Sequence, residues 1–234
     1  MLMFDPVYFM FAMPALVLSM FASYLTKSRF QKYSRVAPAS GLTGAEAAAQ
    51  MLRRENLPDV AIERVQGFLS DHYDPRTRVL RLSPMVYDGR SLSAVGVACH
   101  EAGHALQHAR GYAPLALRSS LVPATSFTSK LSMPILMFGL LMSGSPLGQT
   151  LMIAGALLLT VSVLFTLVTL PVEWDASARA KRLMVKNGIV SPRQEADAGA
   201  VLDAAFLTYL ASAISAVMTL LYWLYRSGLI GGRR

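Results

Sequence analysis

Cysteine is almost absent. Cys99 is the only one in 234 residues, so the chain forms no internal disulfide and cannot build a cysteine-rich structural zinc site. Charge is scarce as well, at 15% of residues against 53% hydrophobic ones, which is leaner than an average soluble domain. Acidic residues are the scarcest class of charge: 14 Asp plus Glu face 22 Lys plus Arg, for a formal charge of +8. A basic balance can signal nucleic acid. Here no basic-aromatic stripe and no zinc-finger spacing accompanies it, so nucleic acid is not an expected partner. Internal repeats and low-complexity segments are also lacking.

Long uncharged runs are present instead, and they point to membrane lipid. Pro6 to Leu25 carries no charge over 20 residues, enough helix to cross a hydrocarbon core of about 30 Å. A cleaved leader would carry its positive charge ahead of the run. Here Asp5 precedes it, and Lys27, Arg29, Lys32 and Arg35 follow. The run reads as a retained anchor with its N-terminus outside. Leu131 to Val172 holds no charge over 42 positions, broken by Gly and Pro within Ser143 to Gln149. It reads as a hairpin of two spans. A last span covers Ala204 to Tyr225, with aromatic residues near its end. The layout is about four transmembrane helices. Residues 26–130 hold 14 Lys plus Arg and 173–203 hold 5, whereas the N-terminal tip and hairpin turn hold none. The positive-inside rule places both rich segments in the cytoplasm. Arg226, Arg233 and Arg234 in the tail count modestly the other way.

The expected organisation is therefore an anchor over 1–26, a cytoplasmic part over 27–130 and a membrane hairpin over 131–172. A cytoplasmic helix over 173–203 and a last span with its tail over 204–234 complete it. Thr43 to Asn56 reads as an Ala-rich helix with one packed face. Residues 60–83 alternate as two or three short strands, with a turn at Asp74-Pro75-Arg76-Thr77 between 69–73 and 78–83. Ser91 to Tyr112 reads as a helix capped by Ser91 and stopped by Gly111. Glu173 opens a helix ended by Gly188, and Ser191 to Gln194 starts the last one with a capping-box pattern. The fold class is a mainly α membrane protein with a small β-sheet.

Three of the four histidines fall in Cys99 to His108, "CHEAGHALQH". His100-Glu101-Ala102-Gly103-His104 fits H-E-x-x-H. Residues four apart on a helix are separated by about 40° net and about 6 Å along the axis, so both imidazoles reach one ion. Zinc is the ion this spacing suits. Glu101 stands about 100° round from His100, beside the metal and not on it. There it can take a proton from water and return it to a leaving amine. His108 lies about 12 Å along the axis from His100, too far to share the ion comfortably. Gln107 and Arg110 stand where a metzincin would need Gly and His, which removes that class. The third ligand remains open among Asp71, His72, Asp74, Glu173 and Asp175. Position alone leaves Glu173 balanced between a ligand and a favourable acid at a helix N-terminus.

Three blocks, "SDHYDPRTRVLRLSP", "ACHEAGHALQHARGYAPLALRSSLVP" and "LPVEWDASARA", together resemble the YugP-type bacterial membrane zinc metallopeptidases. The likeness runs from about Gly41 to Tyr225. That family is similar to the HtpX-type and CAAX-prenyl-protease-type peptidases, which use H-E-x-x-H plus a later glutamate. The resemblance implies a gluzincin-like domain with zinc held by His100, His104 and Glu173, and Glu101 as general base. It departs from the HtpX-type pattern at Ser177, where that pattern has an acid four positions after the glutamate; the nearby acid here is Asp175. The function expected is hydrolysis of protein or peptide substrates by an endopeptidase in the bacterial inner membrane, its active site facing the cytoplasm. Alternatives are an intramembrane protease and a catalytically silent zinc-containing adaptor. A homo-oligomer or a membrane regulator is compatible with the sequence.

Overall fold

A computed structural model describes residues 5–67 and 70–231. Leu69 of the expected strand and Arg233 and Arg234 of the tail lie outside them. The elements in chain order are α1 (Pro6–Tyr33), α2 (Gly44–Arg54), β1 (Ala61–Arg64), β2 (His72–Asp74), β3 (Val79–Leu82), α3 (Pro84–Tyr87), α4 (Leu92–Ala109), α5 (Ala113–Leu141), α6 (Pro146–Lys186) and α7 (Glu195–Arg226). The chain is mainly helical with one small sheet.

Local chemistry explains most boundaries. Thr43 caps α2 through a full capping box, its hydroxyl accepting from Glu46 N while the Glu46 carboxylate accepts from Thr43 N. Ser91 caps α4 by accepting from Ala94 N. Gly111 after α4 and Gly188 after α6 adopt φ of +61° and +69°, the left-handed conformation that ends a helix without a Cβ penalty. Short α3, with Pro84 at its start, was not foreseen.

The sheet has the order β1-β3-β2. β1 runs parallel to β3, with Ala61 opposite Val79, and β2 runs antiparallel to it, with His72 opposite Arg81. Asp74 ties the β2–β3 turn. Its carboxylate accepts from Arg76 N at 2.9 Å, Thr77 Oγ1 at 2.8 Å and Arg81 Nη1 at 3.1 Å. Those donors stabilise the charged form and lower its pKa to about 2.

The chain folds as two compact units. One comprises Ala22–Ala116 and Pro171–Thr208; the other comprises Met1–Phe21, Leu117–Leu170 and Tyr209–Arg234. The first is centred on α4, whose Val95, Ala98, Ala102 and Leu106 are buried with Met51 and Leu52 of α2, Leu80 and Leu82 of β3, and Leu183 and Met184 of α6. The second packs Leu136, Leu140 and Ala156 with Tyr222 and Trp223.

Three expectations are corrected. Three described helices, α1, α6 and α7, are long and apolar enough to cross a membrane, not four. α5 is the difference. It begins at Ala113, far ahead of Leu131, and includes Arg118, Lys130 and a run of serines and threonines that dilute its apolar character. Several of those hydroxyls bond back to the helix's own carbonyls, as Ser120 does to Leu117 O and Thr128 to Ala124 O. Second, α6 is unbroken from Pro146 to Lys186 with Pro171 inside it, so Glu173 does not open a helix. The sequence changes there from apolar to charged, but the backbone ladder continues. Third, α7 begins at Glu195 and not at Ser191. Gln194 Oε1 accepts from Ser191 N at 3.3 Å and from Ala39 N at 2.9 Å, so it also holds the linker after α1.

Along α1, Phe9, Met10, Met13, Leu16, Val17, Met20 and Phe21 are exposed. A face so apolar and unpaired suits lipid and not water.

Candidate metal centre

The site is built from α4 and α6. His100 and His104 stand one turn apart on α4, their rings 4.8 Å apart and nearly perpendicular at 84°. Glu173 of α6 meets both: its Oε2 lies 3.2 Å from His100 Nε2 and 3.5 Å from His104 Nε2. Ligand atoms of the three residues fall within 4.8 Å of one another, a group that could hold a metal ion. Two imidazole nitrogens and one carboxylate oxygen are the donor set of catalytic zinc sites, which keep a position open.

Close helix approach makes this convergence feasible. A Cβ added to Gly103 would stand 2.7 Å from Ala176 O. Only the missing side chain lets the α6 backbone sit this near to α4, which brings Glu173 within reach of the histidines. All three ligand candidates have little contact with solvent, and the Glu173 side chain is 2% exposed. Burial alone would push the His104 pKa down, but the Glu173 and Glu101 carboxylates and the Gln107 carbonyl outweigh it and hold the pKa above its ordinary value.

Each histidine has a partner behind it. His100 Nδ1 is 3.1 Å from Ser177 Oγ, and His104 Nδ1 is 2.9 Å from Gln107 Oε1. Gln107, fully buried, also donates through Nε2 to Val172 O and to Asp175 Oδ2, each at 2.8 Å. Asp175 accepts in turn from Arg179 Nε. Sequence reasoning missed Gln107 and Ser177 as partners. The available signals were spacing: Gln107 follows His104 by three and Ser177 follows Glu173 by four, so each pair shares a helix face.

Glu101 is buried beside this cluster; among the described residues its carboxylate makes no hydrogen bond and acts on His104 through its charge. Cys99 is fully buried, and burial pushes its thiol pKa up, so it is an inert packing residue. The other candidates lie elsewhere. His108 Nδ1 is bonded to Tyr73 OH at 2.9 Å. Asp71 accepts from Ser83 N and Oγ, His72 Nδ1 faces Ser70 O, and Asp74 serves its turn.

Comparison with known proteins points to zinc chemistry. No solved structure matches the chain. A curated relative, "Putative membrane protease YugP" of Bacillus subtilis (strain 168), is 46% identical over 207 residues, covering 88% of this chain and 90% of the relative. A family model described as "Putative neutral zinc metallopeptidase" matches residues 8–228. The chain belongs to that zinc metallopeptidase family.

Proposed function

We propose that the chain is a membrane-embedded zinc endopeptidase acting on protein or peptide substrates. His100, His104 and Glu173 are the metal ligands, and Glu101 is the general base. The observation that carries this reading is the convergence of three N and O ligand atoms within 4.8 Å, with a buried carboxylate next to the first histidine on the same helix. Zinc bound there supplies a Lewis acid for the scissile carbonyl and lowers the pKa of water. Glu101, with no hydrogen-bonding commitment among the described residues, takes the proton from the attacking water and passes it to the leaving amine nitrogen. Ser177 and Gln107 hold the imidazole rings from behind. The small sheet beside α4 offers edges to which an extended peptide can add by backbone hydrogen bonds.

Membrane insertion and its direction belong to the same proposal. The Lys and Arg excess of 26–130 and 173–203 sets these segments, and with them the ligands, on the cytoplasmic side of a bacterial inner membrane. The ligands on α4 and the ligand on α6 must share that side. So α5, although less apolar than the three helices above, has to cross with α6 as a hairpin, a fourth crossing that length and composition alone do not mark. Helix α6 is 41 residues long, or roughly 60 Å. Measured from Pro146, Glu173 stands about 40 Å along it, beyond a hydrocarbon core of about 30 Å. A site outside the core suits cleavage of cytoplasmic polypeptide better than cleavage of a span.

The test is zinc analysis and casein cleavage with purified protein. Glu101→Gln is expected to keep its zinc and lose about 10²–10⁴-fold in rate. Glu173→Ala is expected to lose zinc. Full activity in Glu101→Gln, or unchanged zinc in Glu173→Ala, would sink the respective assignment.

A further inference from the structure

The amide of Gln107 has only one orientation that satisfies its surroundings. Two of its three neighbours, Val172 O and Asp175 Oδ2, are pure acceptors at 2.8 Å. A carbonyl and a carboxylate cannot donate, so the NH₂ group must face them. The opposite orientation would aim Oε1 at two other oxygens inside the fold, where Gln107 is 0% exposed. With the amide fixed, Oε1 faces His104 Nδ1 at 2.9 Å. An oxygen there requires a proton on Nδ1, so the neutral ring keeps its lone pair on Nε2, the nitrogen turned toward Glu173.

We propose that Gln107 is a positioning residue that locks His104 in the Nδ1–H tautomer, with Val172 O and Asp175 fixing the amide from behind. This rests on the metal-centre reading above and goes beyond it. A neutral amide does here what a carboxylate does behind many zinc-bound histidines. Arg179 extends the chain of contacts by holding Asp175, so three side chains in series, Gln107, Asp175 and Arg179, fix which nitrogen of His104 carries the proton. Ser177 behind His100 provides no comparable lock, because a hydroxyl can either donate or accept.

Full-length protein in detergent is titrated with zinc against a chromogenic chelator, and the visible spectrum of the cobalt(II) form is recorded. Gln107→Met keeps length and removes the acceptor; it is expected to bind zinc about 10–100-fold more weakly and to shift the cobalt bands. Gln107→Glu retains an oxygen toward Nδ1, while its other oxygen can share a proton with Asp175. It is expected to recover most of the lost affinity. A role in packing alone predicts that both near-isosteres behave like wild type. Wild-type affinity in Gln107→Met, or a Gln107→Glu variant no better than Gln107→Met, overturns the lock while leaving the metal centre standing. If Gln107→Met does not fold, Gln107→Glu decides, since loss of zinc from that folded variant overturns the proposal. Wild-type protein that takes up no zinc overturns the metal-centre reading and this inference with it.

Discussion

Gly103 is one of the two variable positions of the H-E-x-x-H run, yet it sets how near α6 can come. Its hypothetical Cβ would lie 2.7 Å from Ala176 O and 3.3 Å from Ala176 Cα. Those are backbone atoms, so no side chain can swing aside. Gly103→Val is expected to push α6 outward at a cost of about 1–3 kcal/mol, as overpacking does. It should also lower zinc content by moving Glu173 away from His100 and His104. Metal analysis of the variant together with its thermal unfolding checks both; full zinc in a stable variant would contradict the close-approach argument. His100, Glu101 and His104 were legible in the sequence because their relation is local, fixed by helix pitch. Gln107 lies on that same helix, but its role depends on Val172 and Asp175, 65 and 68 positions on. One-dimensional spacing cannot reveal a partner on another helix.

Among the elements, α6 shows how composition and backbone can disagree. Its apolar stretch and its charged stretch read as two segments, a span and a later helix, but one hydrogen-bonded ladder joins them from Pro146 to Lys186. Helix stops at Gly111 and Gly188 were legible, because a positive φ demands a particular residue. The start of α5 at Ala113 was not, since the uncharged run begins only at Leu131 and the stretch before it carries Arg118, Lys130 and several hydroxyls. The β2–β3 hairpin carries its own pH dependence. Asp74 titrates at about 2 in the fold, below its ordinary 3.8. Its ionised form therefore stabilises the turn fully above pH 4, and this contribution is lost as pH falls toward about 2. The difference in Tm between wild type and Asp74→Ala should be present at pH 5 and close over that window. A constant difference would assign the effect to something other than the carboxylate's charge.

For the molecule as a whole, the membrane reading gives the sharpest test. Ser143 precedes α6 in the turn after α5, and Arg193 lies between α6 and α7; both are exposed. Native Cys99 is buried and should stay silent toward a thiol reagent. In whole cells, Ser143→Cys is expected to react with a membrane-impermeant maleimide. Arg193→Cys should react only after permeabilisation. The reverse pattern would turn the proposed orientation over. The compact unit that holds the ligands is discontinuous, Ala22–Ala116 and then Pro171–Thr208. On a ribosome adding about 5–20 residues per second, His104 emerges roughly 3–14 s before Glu173. On the proposed reading, the nascent chain has for that interval two ligands and a base but no complete centre. On that same reading the chain stays unarmed until the 54 residues from Leu117 to Leu170 and then Glu173 have been made, so synthesis order sets when cleavage can first begin.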